Sequence, residues 1–303
     1  MMKKDLLTLK DISADDLEQI FALASLLKKE RGNNDYKPLA GKSIGMIFAK
    51  SSTRTRISFE VGISELGGTP LYMDSNTMQL GRGETVPDTA KVLSRYLHGV
   101  VIRTFSHADV ETLAAEAMIP VINALTDEYH PCQILADLLT IKEYSGTLNG
   151  VKLVFAGDGA SNIANSLILA SELTGMELVI AAPEEYRPCA ELLAAAPNAS
   201  WEVNPLKAAE GADYIYTDVY VSMGFEEESR DRLARLQPYQ VSAAMMSKGK
   251  SSVKFLHCLP AHRGEEVAAE VMDSPASIVF DQAENRLHVQ KAVLGLIFDS
   301  ARG

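Results

Sequence analysis

Cysteine and long apolar runs are both scarce in this chain of 303 residues. The three cysteines, Cys132, Cys189 and Cys258, form no C-x-x-C pair and match no zinc-type spacing. An odd and sparse set of thiols suits a reducing compartment. Charges return at Lys10 and Asp11, so the N-terminal apolar run is too short for a signal peptide, and no later stretch reaches membrane-spanning length. We therefore expect a cytoplasmic protein.

Positive charge is also in deficit. The chain has 29 lysines and arginines against 40 acidic residues, which gives a formal net charge of −11. That balance argues against nucleic acid or an anionic membrane as the main partner, because both attract basic surfaces. An anion site in such a protein must be built locally. With 47% hydrophobic residues the chain can bury sizeable cores, and its length favours two domains.

One segment combines the features of a local anion site, and it runs from Ser51 to Arg56 as Ser-Ser-Thr-Arg-Thr-Arg. A buried strand is predicted just before it at 44–49, and apolar spacing predicts a helix just after it. The first N–H groups of a helix lack internal partners, so free donors, hydroxyls and guanidiniums converge with the positive end of the helix dipole. Ser52 or Thr53 can cap this helix. A phosphate site is one interpretation, and a capped helix with solvated arginines is the other.

Helices and strands alternate along the whole chain, which predicts an α/β fold with two doubly wound parallel-sheet domains joined by a hinge. The first pattern ends before the glycines of 146–150, and a second pattern starts after them. A long polar loop is predicted over 73–87, and the last strand is predicted at 277–280. The predicted segments are a first domain at 1–145, a second domain at 146–285 and a C-terminal helical segment at 286–303.

Polar residues at the predicted strand ends are candidate site residues, because ligands of open parallel sheets bind beyond the carboxyl ends of the strands. Each candidate has an ordinary alternative. Arg103 can be a surface arginine, and His130 before a proline can cap a helix. Asp218 can be an N-cap, and Cys258 can be a buried thiol. Gly157-Asp158-Gly159 resembles the start of a dinucleotide loop, but no third glycine follows at the required spacing, which argues against NAD.

Four motifs carry a more specific signal. They are Ser-Thr-Arg-Thr-Arg from Ser52, His-Pro-Cys-Gln from His130, Asp-x-x-x-Ser-Met-Gly from Asp218 and His-Cys-Leu-Pro from His257. In this order and spacing the chain resembles the aspartate/ornithine carbamoyltransferase family over essentially its whole length. The first two motifs belong to the carbamoyl phosphate half that the family shares. The last two discriminate the amino acid, and they look like the ornithine type rather than the aspartate type.

The resemblance implies that 1–145 binds carbamoyl phosphate, that 146–285 binds ornithine, and that the C-terminal helix packs back on the first domain. Hydroxyls and guanidiniums would hold the phosphate, and His130 would polarise the carbonyl oxygen. The implied carbamoyl phosphate contacts are Ser52, Thr53, Arg54, Thr55, Gln79, Arg103, His130, Pro131, Cys132, Gln133, Cys258, Leu259 and Arg286. The implied ornithine contacts are Asn162, Asp218, Ser222 and Met223.

The implied reaction is attack of the δ-amine of L-ornithine on the carbamoyl carbon, which gives citrulline and phosphate without a metal or an organic cofactor. Arg103, His130, Asp218 and Cys258 are the implied catalytic residues, and Cys258 would accept or relay a proton. A carbamoyltransferase for another amine, such as putrescine or an N-acylated ornithine, is the alternative. The resemblance also implies a homotrimer with its sites at the subunit interfaces.

The chain departs from the family pattern at two places. Members commonly read Gly-Asp-Gly-Asn-Asn where this chain reads Gly-Asp-Gly-Ala-Ser-Asn, which is one residue longer and changes the spacing before Asn162. Tyr220 replaces the tryptophan often found in the Asp-Val-x-Val-Ser-Met-Gly loop, and both are aromatic packing choices.

Overall fold

The computed structural model describes residues 4–78, 83–221 and 229–300. The chain divides into two compact units, and each has its own parallel sheet. The predicted α/β class with two parallel-sheet domains is confirmed. One unit contains Met1–Ala136 and Glu284–Gly303, and the other contains Asp137–Ala283.

The sheet of the first unit is built from parallel strands with helices between them. In chain order the strands are β1 (Ser43–Phe48), β2 (Thr69–Asp74), β3 (Gly99–Arg103) and β4 (Val121–Leu125). Their order across the sheet is β2-β1-β3-β4. The helices are α1 (Ala14–Lys29), α2 (Thr53–Glu65), α3 (Val86–Tyr96), α4 (His107–Glu116) and α5 (Pro131–Ser145).

The second unit repeats this plan. Its parallel strands are β5 (Lys152–Ala156), β6 (Glu177–Ala181), β7 (Ala199–Glu202), β8 (Tyr214–Thr217) and β9 (Lys254–His257), in the order β7-β6-β5-β8-β9. Its helices are α6 (Asn162–Thr174), α7 (Ala190–Ala194), α8 (Pro205–Ala208), α9 (Ser229–Leu236), α10 (Ala243–Met246) and α11 (Ala269–Met272), followed by α12 (Val279–Ser300).

The last helix belongs mostly to the first unit. From Glu284 onward α12 is part of that unit. The Lys291 ammonium lies 2.6 Å from a Glu65 carboxylate oxygen, and the Lys28 ammonium donates to the Asn285 side chain at 2.8 Å. The C-terminal helix therefore packs back on the first sheet's helices, as the resemblance implied.

Both sheets reverse the direction in which strands are added. In the first unit the chain adds β2 on one side of β1 and then β3 and β4 on the other. In the second unit it adds β6 and β7 on one side of β5 and then β8 and β9 on the other. Ligands of open α/β sheets bind at the carboxyl ends of the strands that flank such a switch point. The expected sites therefore lie at the ends of β1 and β3, and of β5 and β8.

Serine side chains cap the N-termini of several helices in the two units. Ser13 forms a capping box at the start of α1. The Ser52 hydroxyl oxygen accepts the Thr55 N–H at 3.2 Å, and the Ser161 hydroxyl oxygen accepts the Ala164 N–H at 3.2 Å. These caps satisfy backbone donors that the helices themselves leave open. Among the helices of the described segments, none has the length and apolar character needed to cross a membrane.

Strand β2 is an element that the sequence analysis missed, and it reaches into the predicted loop at 73–87. Pro70 lies within β2, and several side chains of the strand are exposed. A proline and a lack of buried alternation both weigh against a strand in a sequence. They are tolerated here because β2 is an edge strand, where one row of backbone groups needs no partner strand.

The strand predicted at 277–280 is wrong. An isolated bridge joins Phe255 to Ser277, and helix α12 begins at Val279. Ile278 and Val279 are buried because this segment covers the outer edge of β9 and then enters a helix, whereas Phe280 is 73% exposed. A short apolar run does not by itself distinguish a strand from the start of a buried helix.

Candidate active site

The Ser51–Arg56 segment lies where β1 ends and α2 begins. Ser52 is the N-cap of α2, and its hydroxyl oxygen accepts the Thr55 N–H. Thr53 is exposed, Arg54 is partly buried and Thr55 is buried. The first helical N–H groups and these side chains thus share the end of α2 at which the helix dipole is positive. Helix starts with this geometry attract anions, so the predicted phosphate contacts share one helix start.

Arg286 links two of the predicted motifs. Its Nη2 donates to the Thr55 hydroxyl and its Nη1 donates to the Gln133 side-chain oxygen, both at 2.9 Å. All three residues are buried. Neither of these two acceptors carries a charge, so the bonds orient the guanidinium without neutralising it. The guanidinium of Arg286 is therefore held in a fixed orientation beside the start of α2.

His130 lies immediately before α5 and is buried. Burial lowers the pKa of its imidazole well below the usual value, and the positive charges of Arg286 and Arg103 lower it further. His130 is consequently neutral near pH 7, and a neutral imidazole can donate one hydrogen bond to a carbonyl oxygen. The effect of both arginines on His130 also means that the three predicted residues lie near one another: Arg103 at the end of β3, His130 just before α5 and Arg286 in α12.

Pro131 and Cys132 open helix α5. Pro131 takes the first helical position, where its missing N–H leaves no gap in the hydrogen bonding. The Cys132 thiol donates to the Asn123 carbonyl at 3.4 Å, and burial raises its pKa to about 12. Cys132 is thus a core thiol that presents no thiolate to a ligand.

Lys50 is a charged residue at this junction that the sequence analysis did not select. It is buried, its ammonium pairs with the Asp127 carboxylate, and it lies 4.3 Å from the centroid of the Phe105 ring. Because the Asp127 carboxylate neutralises this ammonium, the pair adds little net charge next to the start of α2. Its position directly before Ser51 was the available signal.

Arg56, the second arginine of the segment, is engaged elsewhere. Its guanidinium lies 3.8 Å from the Tyr72 ring centroid, and its Nε pairs with a Glu60 oxygen at 3.3 Å. The side chain is exposed. The pattern of two arginines therefore divides into Arg54 at the start of the helix and Arg56 on the surface next to β2.

Asp218 and Cys258 follow the adjacent strands β8 and β9 of the second unit. The Cys258 thiol donates to Asp218 Oδ1 at 2.8 Å, and the same oxygen accepts the Val219 N–H at 2.8 Å. Both side chains are partly exposed. The sequence placed these two residues in separate motifs, and the parallel pairing of β8 with β9 brings them into contact.

A buried histidine supports the backbone around Cys258. His257 Nε2 lies 3.1 Å from Glu266 Oε1, and both side chains are fully buried. The Leu259 N–H donates to His257 Nδ1 at 2.8 Å, so the proton of the neutral ring is on Nε2 and faces Glu266. Leu259 has φ 60°, in the left-handed region that few non-glycine residues adopt. Glu266 was missed because no local pattern links it to the motif.

The Gly157-Asp158-Gly159 segment packs in a way that differs from a dinucleotide loop. The Asp158 carboxylate pairs with the buried Arg232, whose Nε also donates to the Tyr220 carbonyl at 2.9 Å. A Cβ at Gly159 would lie 2.7 Å from the Tyr186 carbonyl oxygen, so this glycine serves close packing. Arg232 is a second residue that sequence reasoning missed.

Asn162 is the first residue of α6, directly after the capping Ser161, and it is partly exposed. It follows β5, which pairs in parallel with β8, so it lies at the same carboxyl edge of the sheet as Asp218, with the switch point between them. The remaining predicted site residues lie outside the described part of the chain. They are Gln79, Ser222 and Met223.

Within the described segments, two groups of side chains have donor atoms of the kinds that bind metals. Asp218, His257 and Cys258 offer three such atoms within 4.8 Å of one another. These atoms are already used, because Cys258 donates to Asp218 and both ring nitrogens of His257 are hydrogen-bonded. A reaction without metal remains a prediction of the sequence. The second group is His262, Glu265 and Glu266.

The two halves of the chain match two family descriptions. Residues 4–143 match the aspartate/ornithine carbamoyltransferase carbamoyl-P binding domain, and residues 149–297 match the Asp/Orn binding domain of the same family. A relative from Bacillus subtilis named ornithine carbamoyltransferase is 53% identical over 303 residues, 97% of this chain and 93% of that protein. A relative of the same name from Oceanobacillus iheyensis is 52% identical over 300 residues, 96% of this chain and 93% of that protein.

Solved structures of such proteins have the same fold. The ornithine carbamoyltransferase of Pyrococcus furiosus superposes with a TM-score of 0.93 at 47% identity, covering 98% of this chain and 97% of that one. That of Thermus thermophilus superposes with a TM-score of 0.91 at 42% identity, covering 98% and 100%. Sequence and fold thus agree over nearly the full length, and the chain belongs to the aspartate/ornithine carbamoyltransferase family.

Proposed function

We propose that this protein transfers the carbamoyl group of carbamoyl phosphate to the δ-amine of L-ornithine and releases L-citrulline and phosphate. Such a reaction serves arginine biosynthesis or catabolism. Relatives that are 52% and 53% identical over nearly the whole chain are named ornithine carbamoyltransferase. The observation that carries the choice of amine is the 2.8 Å contact of Cys258 with Asp218. These two residues come from the two motifs of the ornithine type, and they meet beyond adjacent strand ends.

The first unit binds carbamoyl phosphate in this proposal. The hydroxyls and N–H groups at the start of α2 hold the phosphate oxygens together with Arg54 and Arg103, because guanidiniums match the geometry of phosphate oxygens. Arg286, held by Gln133, adds a third guanidinium. The neutral His130 donates to the carbonyl oxygen and stabilises the oxyanion that forms on attack. The same charges stabilise the departing phosphate.

The second unit activates the amine. An amine like that of lysine has a pKa of about 10.4, so freeing it at pH 7 costs roughly 4–5 kcal/mol in water. Asp218 attracts and orients the ammonium. As the Cys258 sulfur takes a proton from the ammonium, it passes its own proton to the Asp218 oxygen 2.8 Å away. The neutral amine then attacks the carbamoyl carbon, and its nitrogen becomes positively charged. As the tetrahedral intermediate collapses, the electron pair of the cleaved C–O bond leaves with phosphate, which takes the second proton from that nitrogen.

A homotrimer is part of the proposal, and one surface of the first unit supports it. Leu71 and Tyr72 on the edge strand β2 are 41% and 40% exposed, and Ile57 on α2 is 54% exposed. Exposed apolar side chains beside an open strand edge are typical of a surface that another subunit covers. Leu71 and Tyr72 are consecutive in β2 and so lie on its two sides. We call the surface around this edge, with Ile57, Leu71 and Tyr72, the β2 face.

The test is citrulline formation by the purified full-length chain from carbamoyl phosphate and ornithine, with putrescine, aspartate and N-acetylornithine as competing amines. We expect one phosphate for each citrulline and a preference for ornithine of at least about 10²-fold, because a site built for charged groups rejects amines that lack them. Carbamoylation of another amine without citrulline would overturn the choice of amine. Release of no phosphate with any of the four amines would overturn carbamoyl transfer itself.

A further inference from the structure

The outer side of strand β9 is covered by the chain just before α12. The Phe255 N–H donates to the Ala276 carbonyl at 2.9 Å, and the Ile278 N–H donates to the Phe255 carbonyl at 3.1 Å. The next outward-facing N–H of the strand belongs to His257, and here a side chain replaces the backbone partner. The Gln282 Oε1 accepts that N–H at 2.9 Å. Gln282 thus completes the edge of β9 at its last residue.

The other end of the Gln282 amide is also fixed. Its Nε2 donates to Asp137 Oδ1 at 2.7 Å, and both residues are fully buried. The backbone N–H of His257 can only donate, so the amide oxygen must face His257 and the NH₂ group must face Asp137, whose Oδ1 accepts it. Tyr216 lies beside this pair, and burial together with the charge of Asp137 raises the pKa of its phenol well above the usual value. The phenol therefore stays neutral.

We propose that Gln282 and Asp137 are positioning residues for the Cys258 thiol and that they act through the His257 backbone. Cys258 is the residue directly after that anchored backbone, and its sulfur must lie within hydrogen-bond distance of Asp218. The kinetic part of this inference rests on the proposed function. Neither Gln282 nor Asp137 is part of the four motifs that identified the site.

The turn after Cys258 explains why an anchor is needed. Leu259 adopts φ 60°, a conformation that a leucine keeps only when its surroundings hold it there. The Leu259 N–H is held by His257 Nδ1, and the His257 ring is held by Glu266. Gln282 holds the backbone on the other side of Cys258, because its side-chain oxygen accepts the His257 N–H. Without it the turn can relax, and the sulfur moves with the turn.

Gln282→Met removes both hydrogen bonds and keeps the side-chain volume. Gln290→Met is the matched control, because Gln290 lies on the same helix, is equally buried, and has no hydrogen-bond partner for either amide atom within the described residues. We expect Gln282→Met to lower kcat/KM for ornithine by about 10-fold to 10²-fold, since a displacement near 1 Å has effects of that size. The KM for carbamoyl phosphate should stay within about twofold. Gln290→Met should change neither constant.

A double variant that exchanges the donor and the acceptor distinguishes the loss of this hydrogen bond from a general loss of stability. In the Asp137→Asn, Gln282→Glu double variant, the amide at position 137 donates to the carboxylate at 282, which still accepts the His257 N–H. We expect this double variant to recover at least about a third of the wild-type kcat/KM, a coupling typical of residues in one network. Gln282→Glu alone places two carboxylates together and should be as impaired as Gln282→Met.

Alkylation of Cys258 by iodoacetamide gives a readout that does not require turnover. It is measured in a Cys189→Ala background, where Cys132 is buried and unreactive. The bond to Asp218 keeps the proton on sulfur, so Gln282→Met should raise the alkylation rate about fivefold at pH 7. Unchanged alkylation and kinetics in Gln282→Met would overturn the inference, and so would a double variant that is no better than the single variants. An inactive wild type would instead count against the proposed function, because the alkylation comparison stands without activity.

Discussion

At the scale of single residues, burial gives side chains of the same type different chemistry. Cys132 is buried, and burial raises the pKa of its thiol to about 12. Cys258 is partly exposed and donates to Asp218, whereas Cys189 is exposed and belongs to no motif. Burial also keeps His130 neutral. The residue type alone therefore does not determine the chemical role of a side chain. Its environment in the folded protein does.

Arg54 is the residue at which the phosphate assignment can be tested most directly. Arg54→Ala should lower kcat/KM for carbamoyl phosphate by about 10³-fold, because it removes a charge that stabilises the phosphate in the transition state. The melting temperature should stay within a few degrees, since a partly exposed side chain outside the core contributes little to stability. Steady-state kinetics and thermal unfolding measure the two effects. Arg187→Ala is the control, because Arg187 is an exposed arginine paired with Glu184.

Two results would contradict the assignment of Arg54. One is ordinary activity in Arg54→Ala. The other is an equal loss in Arg187→Ala, which would show that the assay responds to any change of surface charge.

Cys258 is the residue at which proton handling can be tested. Cys258→Ala should lower kcat/KM for ornithine by about 10²-fold and change the pH–rate profile, because it removes the group next to Asp218 that accepts the proton. The profile is measured between pH 6 and pH 9.5 at saturating carbamoyl phosphate. Cys189→Ala should behave as wild type. A Cys258→Ala profile that superposes on that of the wild type would remove Cys258 from proton transfer.

At the scale of elements, α12 brings polar residues into the interior of the first unit. Lys291 pairs with Glu65, and Lys28 donates to Asn285. His288 is fully buried nearby, and within the described residues neither ring nitrogen has a hydrogen-bond partner. A buried imidazole among lysines resists protonation, so this helix should carry part of the acid sensitivity of the fold.

Replacing His288 tests that expectation. Burial, with Lys291 and Lys28 adding to it, lowers the pKa of His288 from 6.5 to about 4. As the pH falls below 6.5 the unfolded chain binds the proton and the folded chain does not until about pH 4, so the unfolding free energy decreases through this window. His288→Gln should remove up to about 3 kcal/mol of that decrease. Urea unfolding at pH 4, 5, 6 and 7 measures it, with His98→Gln at an exposed position as the control.

The outcome that contradicts this prediction is a His288→Gln curve parallel to that of the wild type. The unfolding free energies of His98→Gln should decrease with falling pH as those of the wild type do, whatever their absolute values.

Elements with strong local signals were predicted well, and elements set by neighbours were not. The helix predicted at 131–145 is observed as Pro131–Ser145, because a proline at the first position and an apolar face are both local signals. Strand β2 was missed because its exposed side chains and proline show no strand pattern. The strand predicted at 277–280 failed because the segment joins β9 through an isolated bridge at Ser277 and then enters α12 at Val279, so the buried Ile278 and Val279 lie at the start of a helix.

At the scale of the whole molecule, the β2 face is where the trimer can be tested. Tyr72→Asp should dissociate the assembly, because a carboxylate would lose its hydration in an apolar interface. Sedimentation equilibrium should give three times 32.9 kDa for the wild type and a mass approaching a single chain for the variant. Met118→Asp is the control, because Met118 is 88% exposed and precedes β4, the other edge strand of the sheet.

The trimer proposal fails if the wild type sediments as a single chain. It also fails at this surface if Tyr72→Asp sediments as the wild type does, or if Met118→Asp dissociates to the same extent.

The sequence by itself determined the alternation of helices and strands, the division into two sheets and the motifs at the strand ends. Those features depend on interactions within a few residues, such as helix caps and apolar spacing. Only the tertiary structure decided which motif residues meet. Arg286 contacts residues 231 and 153 positions away, and Gln282 contacts Asp137 across 145 positions. No local pattern encodes such contacts, because they follow from the order of strands in the sheet and the return of the last helix.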